Sequence, residues 1–372
     1  MTEDRTHTGD APSPGATGKP AAPPPPEARR RPWRRLAFSA PALALCALYW
    51  TVGDTTWWGE FVCVWPPLLW GVLVLVPVTL LALLVRPRRD AWAPLLCGLL
   101  FMLTNGEWHS AVRRAAQPPS EARDVRVITW NTDSYSGGKA AVLDALAGHE
   151  PDIVCLQETG DGDSAIQPDD LTGYWSGFHH VDSGDCAVLS RWPLRRMPTR
   201  PVGPWSEPLV VATDLPSSRT AVIVNVRLML PSLVLNPLTT ANRRRLAEDH
   251  ALRTAQYGAL AGLVLDSLAD TTTRTTDLVL LAGDFNVHGR AASLAPVRAH
   301  FSDCWQRGHG WGGTMTREFP VARIDHLWLL DRCWHKCAYT RTLNLGLSDH
   351  RAVLAVLRPK RKDDMVRILP WE

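Results

Sequence analysis

The cysteines of this chain lack the pattern of a metal site. There are 8 of them, and Cys333 and Cys337 lie four residues apart without a matching Cys or His set. Structural zinc normally takes four such ligands, so the spacing gives no indication of zinc. A disulfide between Cys333 and Cys337 remains open if this part of the chain lies outside the cytoplasm. The sequence also contains no internal repeat.

A surplus of positive charge is missing from most of the chain. Of the 40 Lys and Arg and the 37 Asp and Glu residues, 28 and 29 fall within residues 121–372, which is close to balance. Non-specific binding of nucleic acid draws on a basic surface. The overall charge therefore does not favour a nuclease, although it leaves room for a local basic patch.

The first 35 residues contain little that a folded core can bury. Residues 1–27 are rich in Pro, Gly, Ala and Thr, and a dense arginine cluster occupies residues 29–35. Segments of this composition do not bury enough apolar surface to fold. We expect residues 1–35 to form a disordered, Pro-rich, basic tail on the cytoplasmic side.

Three uncharged runs follow and predict a membrane region over residues 36–110. Residues 36–53 (about 18) and 61–85 (about 25) are long enough to cross a bilayer, whereas residues 91–105 (about 15) are short. We therefore predict two to three transmembrane helices. A cleaved signal peptide begins in a similar way, but further apolar runs after the first argue against it.

The charges around these runs predict their orientation. Basic clusters at residues 29–35 and 86–89 flank them, and the connector at residues 54–60 carries only acidic charge. The positive-inside rule places both clusters in the cytoplasm and the connector outside. If residues 91–105 cross the membrane, everything after them lies outside, which is the topology we favour. If they do not cross, the remainder is cytoplasmic.

The stretch LVLLAGDFNVHG carries the clearest chemical signal. Residues 278–282 form a short, continuous apolar run, which predicts a buried strand. Gly283 follows, where the backbone can approach a ligand closely. Alternation along an extended chain would place Asp284 and Asn286 on one face. A carboxylate and a carboxamide together suit a hard cation, or an attacking water beside a phosphate.

Four more polar groups border short apolar runs in the same manner. They are Asn131 after residues 125–130, Gln157-Glu158 after 152–156, Asp325-His326 before 327–330, and Asp349-His350 before 352–357. Further strands are predicted at residues 187–190, 209–212, 221–228 and 351–358, and helices at residues 138–147 and 242–268. Intermixed strands and helices indicate an α/β or α+β sandwich.

The order WN, QE, GDFN, RIDH, SDH resembles the endonuclease/exonuclease/phosphatase superfamily. The resemblance covers residues 123–358, between a linker at residues 111–122 and a charged tail at residues 359–372. It implies a four-layer α/β/β/α sandwich of two mixed β-sheets. It also implies metal-dependent hydrolysis of a phosphoester.

The resemblance carries roles over to individual residues. The implied metal ligands are Glu158, Asn131 and Asp349, and oxygen-rich ligation favours Mg²⁺ or Mn²⁺. His350 is the candidate general base because imidazole titrates near neutral pH. Asp325 would orient it, as a carboxylate fixes the tautomer.

The remaining roles concern the substrate. Asp284 and Asn286 would position the attacking water and the phosphate. The family usually has a histidine where this sequence has Arg227, which is a poor proton donor but can clamp a phosphate. Thr314 ends a Gly-rich segment similar to one in some bacterial membrane-linked members, where the threonine lies near the site, and it is a candidate for binding substrate. His326 is expected to pack within its strand.

The combined pattern predicts a membrane-anchored, divalent-metal-dependent phosphoesterase. Its layout is similar to that of bacterial membrane proteins linked to teicoplanin and vancomycin resistance. That similarity implies a multi-pass protein in the cell membrane, acting on a phosphate ester or pyrophosphate of a lipid or polyprenyl carrier. The alternatives are a tethered nuclease acting on nucleic acid and a catalytically silent membrane scaffold.

Overall fold

The fold is described from a computed structural model. It describes residues 32–85, 92–105, 110, 113, 121–160, 162, 165–204, 206–216, 220–234, 236–270 and 276–360. The predicted disordered tail up to residue 31, most of the linker and the charged tail from residue 361 lie outside these segments.

Twelve strands and eight α-helices make up the described segments. The strands are β1 (Val125–Asn131), β2 (Ile153–Gln157), β3 (His179–Asp182), β4 (Cys186–Ser190), β5 (Leu194–Arg196), β6 (Leu209–Asp214), β7 (Thr220–Arg227), β8 (Thr276–Asp284), β9 (Phe301–Asp303), β10 (Asp325–Leu330), β11 (His335–Leu343) and β12 (Ala352–Pro359). The helices are α1 (Pro32–Ala47), α2 (Trp57–Cys63), α3 (Pro67–Trp70), α4 (Val76–Val85), α5 (Trp92–Asn105), α6 (Lys139–Ala147), α7 (Thr240–Asp270) and α8 (Ala295–Arg298).

The strands form two six-stranded sheets. The first has the order β11-β12-β1-β2-β4-β3, and the second has the order β5-β6-β7-β8-β10-β9. Each contains one parallel pair, β1 with β2 and β7 with β8, among antiparallel neighbours. Both sheets are therefore mixed, as predicted. In each parallel pair the carboxyl ends of the two strands lie side by side. Asn131 is opposite Gln157 in the first sheet, and Arg227 is opposite Asp284 in the second.

Alternation along the strands divides the apolar residues between the two faces of each sheet. In β1, Val125 and Val127 point into the core between the sheets, while Ile128 and Trp130 point outward. The outer face of the first sheet packs with α6, and that of the second packs with α7 and α8. The predicted four-layer α/β/β/α arrangement is thereby confirmed for the residues of the sandwich.

The second N-terminal apolar run does not form the continuous helix that the sequence predicted. The first forms α1, which continues directly into a π-helical turn at Leu48–Val52. The second is broken by Pro66 and Pro67, because proline removes a backbone donor and disfavours helical geometry in the preceding residue. In the described segments no helix is long and apolar enough to cross a bilayer. The prediction of two to three transmembrane helices is not confirmed.

These helices nevertheless pack together and against the sandwich. Ala42, Cys46, Leu75 and Phe101 form a small core among α1, α5 and the π-helical turn at Gly71–Leu75. The connector between the first two apolar runs contacts the second sheet's side of the sandwich. Its contacts reach α7 and the loop that follows β8, the strand with the GDFN motif.

Candidate active site

The motif residues meet at one end of the sandwich, where side chains from the two sheets bridge the gap between them. Asn131 at the end of β1 donates through Nδ2 to Asp284 Oδ2 at the end of β8, at 3.1 Å. The same Nδ2 donates to Glu158 Oε1 at 2.7 Å. One buried amide thus holds together three of the predicted site residues.

Asp284 and Asn286 lie close together, but not for the reason that the sequence suggested. β8 ends at Asp284, and Asn286 lies beyond it in a left-handed turn with φ of 52°, a conformation that asparagine tolerates. The Asn286 backbone N–H donates to Asp284 Oδ1 at 2.9 Å, and its Nδ2 donates to Leu228 O at 2.8 Å and to Asp284 Oδ2 at 3.2 Å. A turn brings the two side chains together, rather than strand alternation.

Gly283 also has a different role from the expected one. Its φ is 138°, and a Cβ at this position would lie 1.9 Å from the carbonyl oxygen of Val226. The close approach that requires glycine is therefore to the backbone of β7, not to a ligand.

His350 and Asp325 form the predicted pair. His350 Nδ1 lies 2.8 Å from Asp325 Oδ2, and both side chains are almost fully buried. His350 precedes β12 in the first sheet and Asp325 begins β10 in the second, so this contact also bridges the sheets. The Ser348 hydroxyl oxygen accepts the His350 backbone N–H at 3.0 Å, which fixes the turn that presents the imidazole. Nδ1 is occupied by this contact, so Nε2 is the ring nitrogen that remains available for proton transfer.

Thr314 lies behind Asp325 and is fully buried. Its hydroxyl oxygen accepts the backbone N–H groups of Ile324 at 3.1 Å and Asp325 at 3.3 Å. It therefore positions the start of β10. Its predicted contact with substrate stays a prediction.

The buried charges strongly perturb two titratable groups. Burial raises the pKa of Asp284 to about 7, with the nearby Asp325 carboxylate adding to the effect. Burial alone would lower the pKa of His350. The charge and hydrogen bond of Asp325, together with Asp284 and Asp349, outweigh it and raise the pKa of His350 to about 10. A positive charge is thus strongly favoured among these carboxylates.

Asp284, Asp325 and His350 could hold a metal ion. Each offers one ligand atom, and these atoms lie within 4.8 Å of one another. Asp325 Oδ1 is buried and accepts no hydrogen bond from the described residues. A buried carboxylate oxygen without a donor is costly unless a cation satisfies it. The residues present therefore suit a hard divalent cation.

Two of the three metal ligands predicted from the sequence have other contacts in this arrangement. The Glu158 carboxylate pairs with Arg227, Nη2 to Oε1 at 2.7 Å. Asp349 is half exposed, with Oδ1 lying 4.0 Å from His350 Nε2. The third, Asn131, lies in the cluster as described above. The assignment of Glu158, Asn131 and Asp349 as ligands stays a prediction.

Arg227 lies at the end of β7, beside the site, and is held by two carboxylates. Besides Glu158, its Nη1 lies 3.3 Å from Asp185 Oδ2, and its Nε is buried without an acceptor among the described residues. Burial opposes the guanidinium charge, but Asp185 and Glu158 outweigh it and raise the pKa of Arg227. The group is a permanent cation at the rim of the site.

Sequence reasoning missed Asp185 and Arg253. Asp185 lies in the turn before β4, and only its Ser-Gly-Asp composition hinted at a loop. Arg253 is buried on α7 and donates through Nη2 to the Asn286 carbonyl oxygen at 2.9 Å, so it supports the GDFN turn. Nothing in a helical segment of mixed polarity marks it. His326 packs against Phe285 and Trp328 in the second sheet, as predicted.

The architecture and the convergent polar groups define a two-sheet α/β sandwich with a polar site at the strand ends. A family model, Endonuclease/Exonuclease/phosphatase family, matches residues 128–350. The chain belongs to the endonuclease/exonuclease/phosphatase family. Members of this family are hydrolases, including phosphatases and nucleases, and generally use divalent metals.

Solved structures with a similar fold have low sequence identity to the chain. An endonuclease/exonuclease/phosphatase protein from Beutenbergia cavernae shares 18% identity over 65% of this chain and 76% of its own, with a TM-score of 0.45. Truncated Caenorhabditis elegans TDP2 shares 18% over 63% and 97%, with a TM-score of 0.44. The 3′ phosphatase NExo from Neisseria, bound to a product DNA hairpin, shares 17% over 64% and 100%, with a TM-score of 0.46. No curated protein matches the chain.

Proposed function

We propose that the protein is a divalent-metal-dependent phosphoesterase that hydrolyses the phosphate ester or pyrophosphate of a lipid or polyprenyl carrier at a membrane. The observation that carries the hydrolytic part is the convergence of Asp284, Asp325 and His350 at the strand ends. A buried acid pair beside an imidazole, next to a permanent cation, suits a site that handles a phosphate and a water molecule.

We expect the divalent metal ion to bind among the carboxylates of the site. Mg²⁺ or Mn²⁺ is favoured because the available donors are mainly carboxylate and amide oxygens. Such an ion, when bound, would neutralise charge on the phosphoryl group and polarise its oxygens. Asp284 and Asp325 would hold it, with Glu158 and Asn131 as further donors within the same cluster.

The protein's own side chains would supply the proton transfer and the phosphate contacts. Asp325 holds the His350 Nδ1–H, which leaves Nε2 for proton transfer. The neighbouring carboxylates raise the pKa of His350 to about 10, so Nε2 would accept a proton from the attacking water once a bound cation offsets their charge. The Asn286 amide would orient that water. The Arg227 guanidinium would exchange a carboxylate partner for a phosphate oxygen, for which its planar fork is suited.

The membrane part of the proposal is supported by the N-terminal helices. Large apolar side chains on α4 and α5 are exposed: Val76, Leu80, Leu81, Leu83, Leu84, Trp92, Leu95, Leu96, Leu99, Leu100 and Leu103. Contiguous exposed apolar surface is typical of a membrane or protein contact. The near-neutral charge of residues 121–372 also favours a lipid over a nucleic acid as substrate.

The acidic connector supports an extracytoplasmic catalytic domain. Glu60 contacts Arg253 on α7, and Asp54 accepts the backbone N–H of Ser293 at 3.1 Å. Arg290 donates to Thr104 O near the end of α5 at 2.6 Å. The connector, which the charge pattern predicts to lie outside, thus adjoins the catalytic domain, as expected if both lie on the same side of the membrane.

A substrate panel tests the proposal. Purified protein in detergent is assayed for phosphate release from polyprenyl phosphate and pyrophosphate, phosphatidic acid and nucleotides, and for cleavage of single- and double-stranded DNA, with and without Mg²⁺. We expect Mg²⁺-dependent release from the lipids. Preferential DNA cleavage would establish the tethered nuclease instead. Absence of all activity and of Mg²⁺ binding by calorimetry would establish the silent scaffold.

A further inference from the structure

A cavity of about 320 Å³ lies between the N-terminal helices and the sandwich. Its size is in the range of small-molecule sites, about 300–1,000 Å³. One wall comes from the segment that links α2 to α3, including Val64, Trp65 and Pro66. The opposite wall comes from the loop after β7, with Leu230 and Leu233, and from the segment before β10. The cavity therefore exists only where the two parts of the chain meet.

The cavity adjoins the active site at Asn286. Asn286 lines it and also hydrogen-bonds to Asp284 at the centre of the catalytic cluster. Val287, the next residue, lines it as well. A molecule whose phosphate lies beside Asn286 can thus extend its next atoms into the cavity.

The charged groups along the cavity already have partners. Glu60 pairs with Arg253, Asp54 accepts hydrogen bonds from Ser293, and Arg323 Nη2 lies 2.6 Å from Asp303. The other lining side chains are largely apolar. A ligand part that enters this space would therefore be stabilised by burial of apolar surface rather than by new ionic contacts.

We propose that this cavity binds the part of an apolar chain that adjoins the phosphate of an amphiphilic phosphoester. The inference rests on the proposed function, since it places the reacting phosphate at Asn286. The linker from α2 leads at Pro67 into α3 and then α4, whose outer side chains are exposed and apolar. The chain of the ligand would thus point from Asn286 towards the side of the cavity from which this apolar surface begins.

Two exposed leucines in one loop provide a matched pair of variants. Leu233 lines the cavity and is 57% exposed, whereas Leu238 does not line it and is 75% exposed. Leu233→Glu places a charge at the cavity, and Leu238→Glu places the same charge nearby. Because both side chains are exposed, neither change should prevent folding. Val64→Phe is a second variant, which adds bulk from the opposite wall.

The experiment compares homologous ligands that differ only in chain length. Binding of ethyl-, butyl-, hexyl- and octylphosphonate is measured by calorimetry with Mg²⁺ present, below micellar concentration, and hydrolysis of the matching alkyl phosphates is measured in parallel. We expect affinity and kcat/KM to rise by up to about fourfold per methylene, the ratio for moving one methylene out of water. Leu233→Glu should reduce this gain per methylene, and Leu238→Glu should leave it unchanged. With Val64→Phe, affinity should stop rising at a shorter alkyl chain.

The outcomes separate the two proposals. Affinity that does not depend on chain length, or an unchanged slope in Leu233→Glu, would overturn the cavity assignment even if the esters are hydrolysed. A chain-length slope in phosphonate binding without hydrolysis of any ester would overturn the proposed activity and leave the cavity assignment standing.

Discussion

The ion pair between Glu60 and Arg253 is predicted to couple the N-terminal helices to the catalytic turn. Arg253 is 3% exposed and Glu60 is 14% exposed, so water screens the pair poorly. Arg253 also donates to the Asn286 carbonyl oxygen at 2.9 Å and to the Tyr257 hydroxyl at 2.8 Å. Glu60→Gln removes the negative charge and keeps the shape of the side chain.

The expected loss of stability depends on the hydrogen-bond acceptors that Arg253 keeps in the variant. Breaking a buried ion pair by removing one partner typically costs about 3–5 kcal/mol, because the other charge is left uncompensated. Here glutamine can still accept a hydrogen bond, and the two other acceptors remain. We therefore expect a loss near the lower limit, about 3 kcal/mol, in the free energy of unfolding. Displacement of the Asn286 turn should also lower kcat.

The assay is urea unfolding of the full chain in mild detergent, together with the rate of phosphate release. The surface pair of Arg126 and Glu150 supplies a matched control, since its glutamate side chain is 69% exposed. Glu150→Gln should cost at most about 1 kcal/mol. Arg253→Met combined with Glu60→Gln should cost less than the sum of the single changes, because neither member of this ion pair is then left buried without the other. If Glu60→Gln behaves like Glu150→Gln in both stability and kcat, the coupling does not exist.

The remaining predictions concern the catalytic cluster and the topology. Asp284→Asn or Glu158→Gln should remove most activity while the circular dichroism spectrum stays unchanged; near-normal turnover at saturating Mg²⁺ would contradict the assigned roles. Arg227→Ala should cost about 2–4 kcal/mol of transition-state stabilisation in kcat/KM, and Arg227→Lys should recover only part of it, since lysine lacks the planar fork; a fully active Ala variant would exclude the phosphate contact. The pKa of Asp284 is raised to about 7 in the folded protein, above an ordinary value of about 3.9, so ionisation of this carboxyl group favours the unfolded state. Without metal, Tm should therefore fall as pH rises from about 4 to about 7. Asp284→Asn should remove the part of this pH dependence that Asp284 contributes. Reporter fusions after Arg358 should be active only with the extracytoplasmic reporter; a signal from the cytoplasmic reporter alone would exclude the proposed topology.

The strands of the sandwich centre were predictable from local pattern. β1, β2, β4, β6, β7, β8, β10 and β12 contain short apolar runs, which are typical of strands buried on both faces. The four edge strands, β3, β5, β9 and β11, were missed. β11, for example, mixes Lys336, Arg341 and Thr342 with apolar residues, because one side of an edge strand meets solvent. Such strands form where a neighbouring strand has backbone N–H and C=O groups left to pair. The local sequence pattern does not predict where such a neighbour lies.

The N-terminal helices show the limit of composition. The absence of charge in residues 61–85 predicted one continuous helix, yet Pro66 and Pro67 divide it. Local backbone chemistry overrode the apolar pattern here.

The sequence by itself determined which residue types stand at the strand ends, and hence the family and the His350–Asp325 pair. Those motifs are local, and the pairing register of the strands places them at the same end of the sandwich. Only the tertiary structure decided that Arg227 meets Asp185 and Glu158, that Glu60 reaches Arg253, and that a cavity opens beside Asn286. These contacts join distant parts of the chain through the packing of whole layers, and the geometry of that packing is not encoded in any single segment.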